Sequence, residues 1–284
     1  MTTVLDVQRF KDEGRRFAML TAYDYLSAQI LDEAGIPILL VGDSLGMVVL
    51  GYPTTLPVTL DDMIHHAKAV ARGSRQAMLV GDMPFMSYHA SIEQAITSAG
   101  RFLQEAGMHA VKLEGGGRIV EITRRLTAIG IPVMGHLGLT PQFVHQMGGF
   151  KIQGKSEAQA ARILADAKDL QEAGAFSLVL EGVPNALASR ITQEVRIPTI
   201  GIGAGPGTDG QVLVLHDMLG LTTGKAPKFV KRYANLADEI GKAARQFAGE
   251  VGTGAFPGPE HSYSANGAAP AAKESREEVK YGAG

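Results

Sequence analysis

The 284-residue chain contains no cysteine, so disulfides and thiolate metal sites are both excluded. Any metal must be held by Asp, Glu or His. An excess of charge of one sign is nearly missing as well: 27 Lys and Arg stand against 29 Asp and Glu, a formal net charge of -2. That balance gives neither nucleic acid nor an anionic membrane surface a reason to bind. Long apolar runs are also absent. No stretch approaches the roughly 18 apolar residues of a transmembrane helix, and Met1 to Arg16 lacks the apolar core of a signal peptide. The expected location is therefore the cytoplasm, with no membrane partner.

What is present is a repeating pattern. Hydrophobic residues make up 45% of the chain, which at this length suffices for a large core without staples. Short apolar runs alternate with amphipathic stretches. The runs are Phe17 to Ala22, Ile36 to Val41, Ala77 to Val80, Ala110 to Leu113, Ile131 to Met134, Ser177 to Leu180 and Ile197 to Ile202. Val212 to Leu215 reads as an eighth, at tighter spacing. All are too short for independent helices and rich in Val, Ile and Leu, as strands buried on both faces are. Between them, Ser91 to Ala106, Glu157 to Ala173 and Asn185 to Val195 read as helices, the first two ending before glycine. Thr59 caps a further helix over Leu60 to Ala71, with Asp61 and Asp62 favouring its positive end. Those two aspartates are read as structural.

The dipeptide Ile-Pro opens three units, at Ile36-Pro37, Ile131-Pro132 and Ile197-Pro198. Proline suits a strand's first residue, where no ladder donor is needed. Strand–helix alternation on this scale implies a parallel sheet with helices outside. Seven or eight units, in a chain near the roughly 250 residues typical of the type, favour a closed (βα)8 TIM barrel, an α/β fold in a single domain. The barrel is expected over 1–263, followed by a disordered C-terminal tail over 264–284 that lacks apolar periodicity. Leu45 to Val58 and Gly138 to Lys155 break the rhythm as long loops, of the kind that serve as lids or binding loops.

Polar residues gather at the strand ends. Strand two ends in Val41-Gly42-Asp43-Ser44 and strand three in Val80-Gly81-Asp82. Strands four, five and six end in Lys112-Leu113-Glu114, Gly135-His136 and Leu180-Glu181. In a βα barrel these ends converge on the face that carries active sites. Lys112 and Glu114 lie two apart, so both face the barrel mouth while Val111 and Leu113 face the helices. A buried ion pair that merely fixes the barrel is the competing reading for that pair. It accounts poorly for all five polar ends, because burying so many ionisable groups is costly without a metal or ligand.

Asp43, Asp82 and Glu114, from three adjacent strands, offer hard oxygen ligands that suit Mg²⁺ before Zn²⁺. Such a cation could take a 2-oxo acid by its carboxylate and carbonyl oxygens and stabilise an enolate. Glu181, roughly across the barrel, is then the candidate general base. Gly201-Ile-Gly-Ala-Gly205 is a weak candidate for a phosphate-cradling loop, because it lacks the strand–helix context of a dinucleotide fingerprint. His65-His66 reads as partly solvated surface.

Several segments resemble one family. They are Val41-Gly-Asp-Ser-Leu-Gly46, Thr55-Leu-Pro-Val-Thr59, Gly81-Asp-Met-Pro-Phe-Met86, Val111-Lys-Leu-Glu-Gly-Gly116, Gly135-His-Leu-Gly-Leu-Thr-Pro141 and Gly201-Ile-Gly-Ala-Gly205. In order and spacing, from about residue 1 to Tyr263, they are similar to the ketopantoate hydroxymethyltransferases, also called 3-methyl-2-oxobutanoate hydroxymethyltransferases. The resemblance implies a one-carbon transferase of pantothenate biosynthesis. It would move a hydroxymethyl group from 5,10-methylenetetrahydrofolate, the co-substrate, to C3 of 3-methyl-2-oxobutanoate, giving 2-dehydropantoate. It also implies Mg²⁺ at Asp43, Asp82 and Glu114, oxo acid contacts from Asp43, Ser44, Asp82 and Lys112, and Glu181 as proton acceptor. His136 matches a histidine at the mouth and is counted among the substrate-binding residues. A large homo-oligomer, a decamer, is expected.

Two rivals remain at this point. One is a Mg²⁺-dependent 2-oxo acid lyase or mutase of the isocitrate lyase and phosphoenolpyruvate mutase kind. Such lyases typically carry a reactive cysteine, which is missing here. The other is a non-catalytic barrel that binds a metabolite, against which the five convergent ionisable groups argue.

Overall fold

Eight parallel strands pair in sequence order, and the last pairs with the first, so the sheet closes into a barrel. The computed structural model describes residues 1–222, 224 and 226–263; the tail expected over 264–284 lies outside the described residues. Two compact units are present, Met1–Tyr233 and a second that begins at Ala234. The first contains the whole barrel. Its strands are β1 (Phe17–Thr21), β2 (Ile38–Val41), β3 (Met78–Asp82), β4 (Ala110–Glu114), β5 (Val133–Gly138), β6 (Ser177–Glu181), β7 (Thr199–Ile202) and β8 (Gly210–Leu213). Its helices are α1 (Val4–Asp12), α2 (Tyr25–Glu33), α3 (Leu45–Val48), α4 (Leu60–Gly73), α5 (Ile92–Gln104) and α6 (Arg118–Ala128). Further along come α7 (Val144–Met147), α8 (Glu157–Glu172), α9 (Asn185–Glu194) and α10 (Leu215–Met218). The second unit carries α11 (Leu236–Thr253). Among the described residues no helix is long and apolar enough to cross a membrane.

The two-residue period of a strand sorts the core into inner and outer layers. Met19, Ile38, Leu40, Met78, Val80, Ala110, Met134, Val179, Ile200 and Val212 form one buried cluster, the barrel interior. Their neighbours Leu39, Val41, Leu79, Val111 and Leu113 belong to another, shared with the surrounding helices. Gly81 lies on the outer face of β3 because a Cβ there would overlap the Phe102 ring of α5. The interior cluster also takes in Val7 and Phe10 of α1. This helix crosses the N-terminal end of the barrel. Gln8 Nε2 donates to the Arg196 carbonyl at 3.0 Å, and Lys11 Nζ meets Asp209 at 2.9 Å, just ahead of β7 and β8. The bottom is thus stoppered with apolar side chains, and the top is left for polar ones.

Two sequence expectations shift in detail. The Ile-Pro pairs precede their strands instead of opening them: β2, β5 and β7 each begin one residue after the proline. The reason lies in what proline can still offer. Its carbonyl accepts from the neighbouring strand, with Met78 N on Pro37 O at 2.8 Å, Val111 N on Pro132 O at 3.0 Å and Leu178 N on Pro198 O at 2.9 Å. The eighth strand starts at Gly210, two residues earlier than expected. Leu215 instead opens α10, its amide donating to Thr21 Oγ1 at 2.9 Å. The segment 45–58 contains α3, and 138–155 contains the 3-10 turn Pro141–Phe143 and α7.

Asp61 and Asp62 are structural, as read from the sequence. Thr59 and Asp62 form a capping box at the start of α4, and Asp61 pairs with Arg101 at 2.9 Å. His65 is exposed, while His66 Nδ1 lies 2.7 Å from the Tyr23 carbonyl. Replacing Thr59 with Ala removes the cap and should lower stability by about 1 kcal/mol. Urea denaturation checks this, and an unchanged midpoint would show that the cap contributes nothing.

Candidate active site

Strand register carries the polar ends into one layer. Asp82 is the register partner of Lys112, Glu114 of His136, and Gly138 of Glu181. All the strand-borne polar residues share the inward parity of their strands, directly above the apolar interior. Asp43, Asp82, Lys112, Glu114 and His136 are each at most 4% exposed. Together with Ser44, Thr21 and Glu181 they line a cavity of about 760 Å³ at the C-terminal end of the strands. Met47 from α3, Leu139, Phe150 and Ile152 from the segment after β5, and Phe229 give it apolar surface, beside the charged Lys151, Asp217 and Lys228. The cavity thus gathers every site residue expected from the sequence.

Lys112 is the hub of the charges. Its Nζ lies 2.6 Å from Asp82 Oδ1 and 3.8 Å from Glu114 Oε1. Burial opposes the ammonium charge, but Asp82, Glu114 and Asp43 outweigh it and hold the lysine firmly protonated. His136 stands between two carboxylates, with Nδ1 3.4 Å from Glu114 Oε1 and Nε2 3.2 Å from Glu181 Oε2. Neither contact reaches good hydrogen-bond alignment, so these are ion-pair contacts. Burial and the Lys112 charge push the imidazole down, yet Glu114 and Glu181 prevail and raise its pKa to about 9. Burial disfavours the Glu114 charge too, but His136, Lys112 and the Gln142 amide hold that carboxyl below its ordinary value. Asp43 goes the other way: burial, then Asp82 and Glu114, push it well above the carboxylate range. Asp82 is raised chiefly by burial, with Lys112 opposing.

Several residues absent from the sequence expectation complete the layer. Gln142 donates from Nε2 to Asp43 Oδ2 and to the Met83 carbonyl, both at 2.9 Å, and from its backbone N to Glu114 Oε2 at 3.0 Å. Tyr88 donates to Gln142 Oε1 at 2.7 Å. Tyr23 shares a 2.9 Å hydrogen bond with Ser44. The one available signal for Gln142 is its place immediately after the His136 to Pro141 motif.

A divalent cation fits part of this donor set. If ionised, Asp43, Asp82, Glu114 and Glu181 carry four negative charges against two positive ones on Lys112 and His136. The surplus of two matches a doubly charged ion, and the donors are hard oxygens. The expected ligand trio, however, does not converge: among the described residues no group of three His, Cys, Asp or Glu side chains is arranged to hold a metal. Glu114 is occupied by Gln142, His136 and Lys112. Asp43 keeps Oδ1 outside the described hydrogen bonds, whereas Asp82 takes Lys112 on Oδ1 and the Asp43 amide on Oδ2, so a cation would share Asp82 and Glu114 with their present partners.

The sequence profile described as ketopantoate hydroxymethyltransferase matches residues 1–259. The chain belongs to the ketopantoate hydroxymethyltransferase family. Within the family, the 3-methyl-2-oxobutanoate hydroxymethyltransferase of Syntrophus aciditrophicus (strain SB) is 62% identical over 257 residues, covering 90% of this chain and 94% of that relative. Among solved structures, a phosphonopyruvate hydrolase in complex with oxalate and Mg²⁺ superposes with a TM-score of 0.60 at 13% identity, covering 92% of this chain and 93% of that one. A 2,3-dimethylmalate lyase, of the PEP mutase/isocitrate lyase superfamily, gives 0.58 at 18% identity, covering 94% and 93%. At such identities these neighbours report a shared fold. They place the ketopantoate hydroxymethyltransferase barrel beside the rival enzymes weighed from the sequence, as kin in architecture.

Two outcomes test the electrostatics. Asp43 is easier to protonate in the folded chain than in the unfolded one. Its ionisation therefore costs stability above about pH 4, the unfolded value. Asp43→Asn in EDTA should gain about 1 kcal/mol at pH 7.5, and the gain should vanish at pH 4. A loss of stability at pH 7.5 in chemical denaturation would contradict the crowding. His136 also loses stability as pH rises, but there the charged form is the favourable one. Its stabilising charge is fully present below about pH 6.5, the unfolded value, and is lost as pH rises through about 9. The ¹⁵N shifts of its ring in metal-free protein should be those of an imidazolium at pH 7.5. A neutral tautomer at that pH would overturn the assignment.

Proposed function

We propose that this chain transfers a hydroxymethyl group from 5,10-methylenetetrahydrofolate to C3 of 3-methyl-2-oxobutanoate, giving 2-dehydropantoate. Family membership supports the reaction. The observation that carries the chemistry is the contrast within the polar layer: Glu181 keeps 17% of its side chain exposed to the cavity, while Glu114 keeps 1%. Glu181 is thus the carboxylate that can meet a substrate C–H bond. His136, charged and 3.2 Å away, holds it in place and is itself unavailable as a base. Lys112 and Ser44 line the floor where the oxo acid's carboxylate and carbonyl oxygens would lie.

Asp43 and Asp82 would hold a divalent cation, Mg²⁺ in this reading, which when bound supplies fixed positive charge for the oxo acid's oxygens. Glu181 accepts the C3 proton, and the C–H electron pair passes into the enolate. C3 then bonds to the donor's one-carbon unit. One water is consumed, supplying the hydroxyl oxygen, and tetrahydrofolate leaves. A five-carbon oxo acid fills only part of about 760 Å³. The rim of Met47, Phe150, Ile152 and Phe229 gives a flat folate donor apolar surface on which to lie. The homo-oligomer implied by the resemblance belongs to this reading, and light scattering tests it.

The decisive experiment isolates proton removal. In D₂O with Mg²⁺ and 3-methyl-2-oxobutanoate but no folate, the enzyme should exchange the C3 hydrogen for deuterium. Glu181→Gln keeps the shape but cannot accept the proton, so exchange followed by proton NMR should fall by about 10²-fold or more. Exchange at the wild-type rate would remove Glu181 from the role. Adding the folate donor to the wild type should yield 2-dehydropantoate. Cleavage of the oxo acid's carbon chain instead would favour the lyase reading.

A further inference from the structure

Asp43 lies beyond the last residue of β2, Val41, so no strand ladder fixes its side chain. What holds it comes from elsewhere in the chain. Gln142, 3% exposed, reaches across 99 residues of sequence to Asp43 Oδ2. Its backbone amide spans 28 residues to Glu114 Oε2. One residue therefore grips two carboxylates, one just after β2 and one on β4.

The amide can face only one way. The Tyr88 hydroxyl accepts from Glu114 N at 3.2 Å, so its own hydrogen is free for Gln142 Oε1 at 2.7 Å. Met83 O is an acceptor only and takes the second hydrogen of Nε2. A flipped amide would set its oxygen against both Met83 O and Asp43 Oδ2 and lose both of those hydrogen bonds. With Oδ2 committed, Asp43 Oδ1 is its uncommitted oxygen among the described hydrogen bonds.

We infer that Gln142 is a positioning residue that presents Asp43 to the cation and oxo acid while pinning Glu114 behind it, and that Tyr88 acts through Gln142 by locking the amide's orientation. The inference rests on the function proposed above. Partners behind a ligand commonly tune the site as strongly as the ligand's own neighbours do, with losses of 10- to 100-fold in metal affinity when they are removed. The Tyr88–Gln142 pair also ties the segments after β3 and β5 together, so the two carboxylates are referenced to one frame.

Three variants test it: Gln142→Leu, of similar size without polar atoms; Gln142→Glu, which keeps an acceptor for Tyr88 but loses both donors; and Tyr88→Phe. Mg²⁺ affinity is read by calorimetry, C3 exchange in D₂O without folate by NMR, and folding by thermal melts. Both Gln142 variants should weaken Mg²⁺ binding by about 10- to 100-fold and slow exchange. Tyr88→Phe should do the same to a smaller degree, with no further loss when combined with Gln142→Leu, because the two act as one unit. Lower melting temperatures with wild-type Mg²⁺ affinity and exchange would show that Gln142 only supports the fold, and would overturn the inference. If Gln142→Leu fails to fold, Tyr88→Phe decides: wild-type affinity in that variant overturns the inference. A wild type that neither binds Mg²⁺ nor exchanges the C3 hydrogen sinks the proposed function and this inference with it. A competent wild type with unaltered variants sinks this inference alone.

Discussion

The buried ammonium of Lys112 makes the upper layer of this barrel tenable. Without it, Asp82 and Glu114 would face each other in a space nearly closed to water, with Asp43 beside them. Removing one partner of such a buried group costs roughly 3–5 kcal/mol, because the remaining charges stay desolvated. The lysine does more than neutralise. Placed between Asp82 and Glu114 by strand register, it leaves Asp43 less fully compensated than the others. Asp43, and to a lesser degree Asp82, are the carboxylates that a further positive charge or a proton would relieve.

That imbalance divides the labour among like residues. Four carboxylates stand around one cavity, yet each has a separate setting. Asp82 is bound to the lysine, Glu114 is enclosed by His136 and Gln142, Asp43 is strained towards neutrality, and Glu181 is open to the cavity. Burial and neighbours alone thus set identical side chains apart, and the proposed function would use that difference for acceptor, support and ligand. The apolar interior below serves this arrangement. With the barrel filled by Met, Ile, Leu and Val and stoppered by Val7 and Phe10, water cannot relieve the charges from beneath.

Much of this was legible in the sequence because it follows from periodicity. Short Val- and Ile-rich runs gave the strands, and a period of two put Lys112 and Glu114 on one side with Val111 and Leu113 on the other. Polar residues at five consecutive strand ends marked the active face. The rest depended on contacts that no period encodes. Gln142 and Tyr88 sit in irregular segments after β5 and β3, where nothing in the local pattern says what a side chain will reach. β8 stops at Leu213, short of the expected Leu215, where Thr21 from far earlier in the chain captures the Leu215 amide as α10 begins. Asp43, Asp82 and Glu114 read as equal candidates for a metal, since residue type alone cannot show which of their oxygens already have partners.

The stopper at the bottom of the barrel carries a consequence for how the chain reaches this state. Val4–Asp12 precedes every strand of the barrel, but its anchors, the Arg196 carbonyl and the Asp209 carboxylate, stand just ahead of the last two strands. Lys11 and Asp209 are 198 positions apart. The closing seam between β1 and β8 has the same character. Until the far end of the barrel emerges, the apolar face of this helix has no seat, and a nascent chain must carry Val7 and Phe10 uncovered through most of synthesis. Contacts of such sequence separation form late and slowly. Sealing the floor and closing the wall are therefore one event, and the polar layer above gains its dry underside only when this helix meets the segments ahead of β7 and β8.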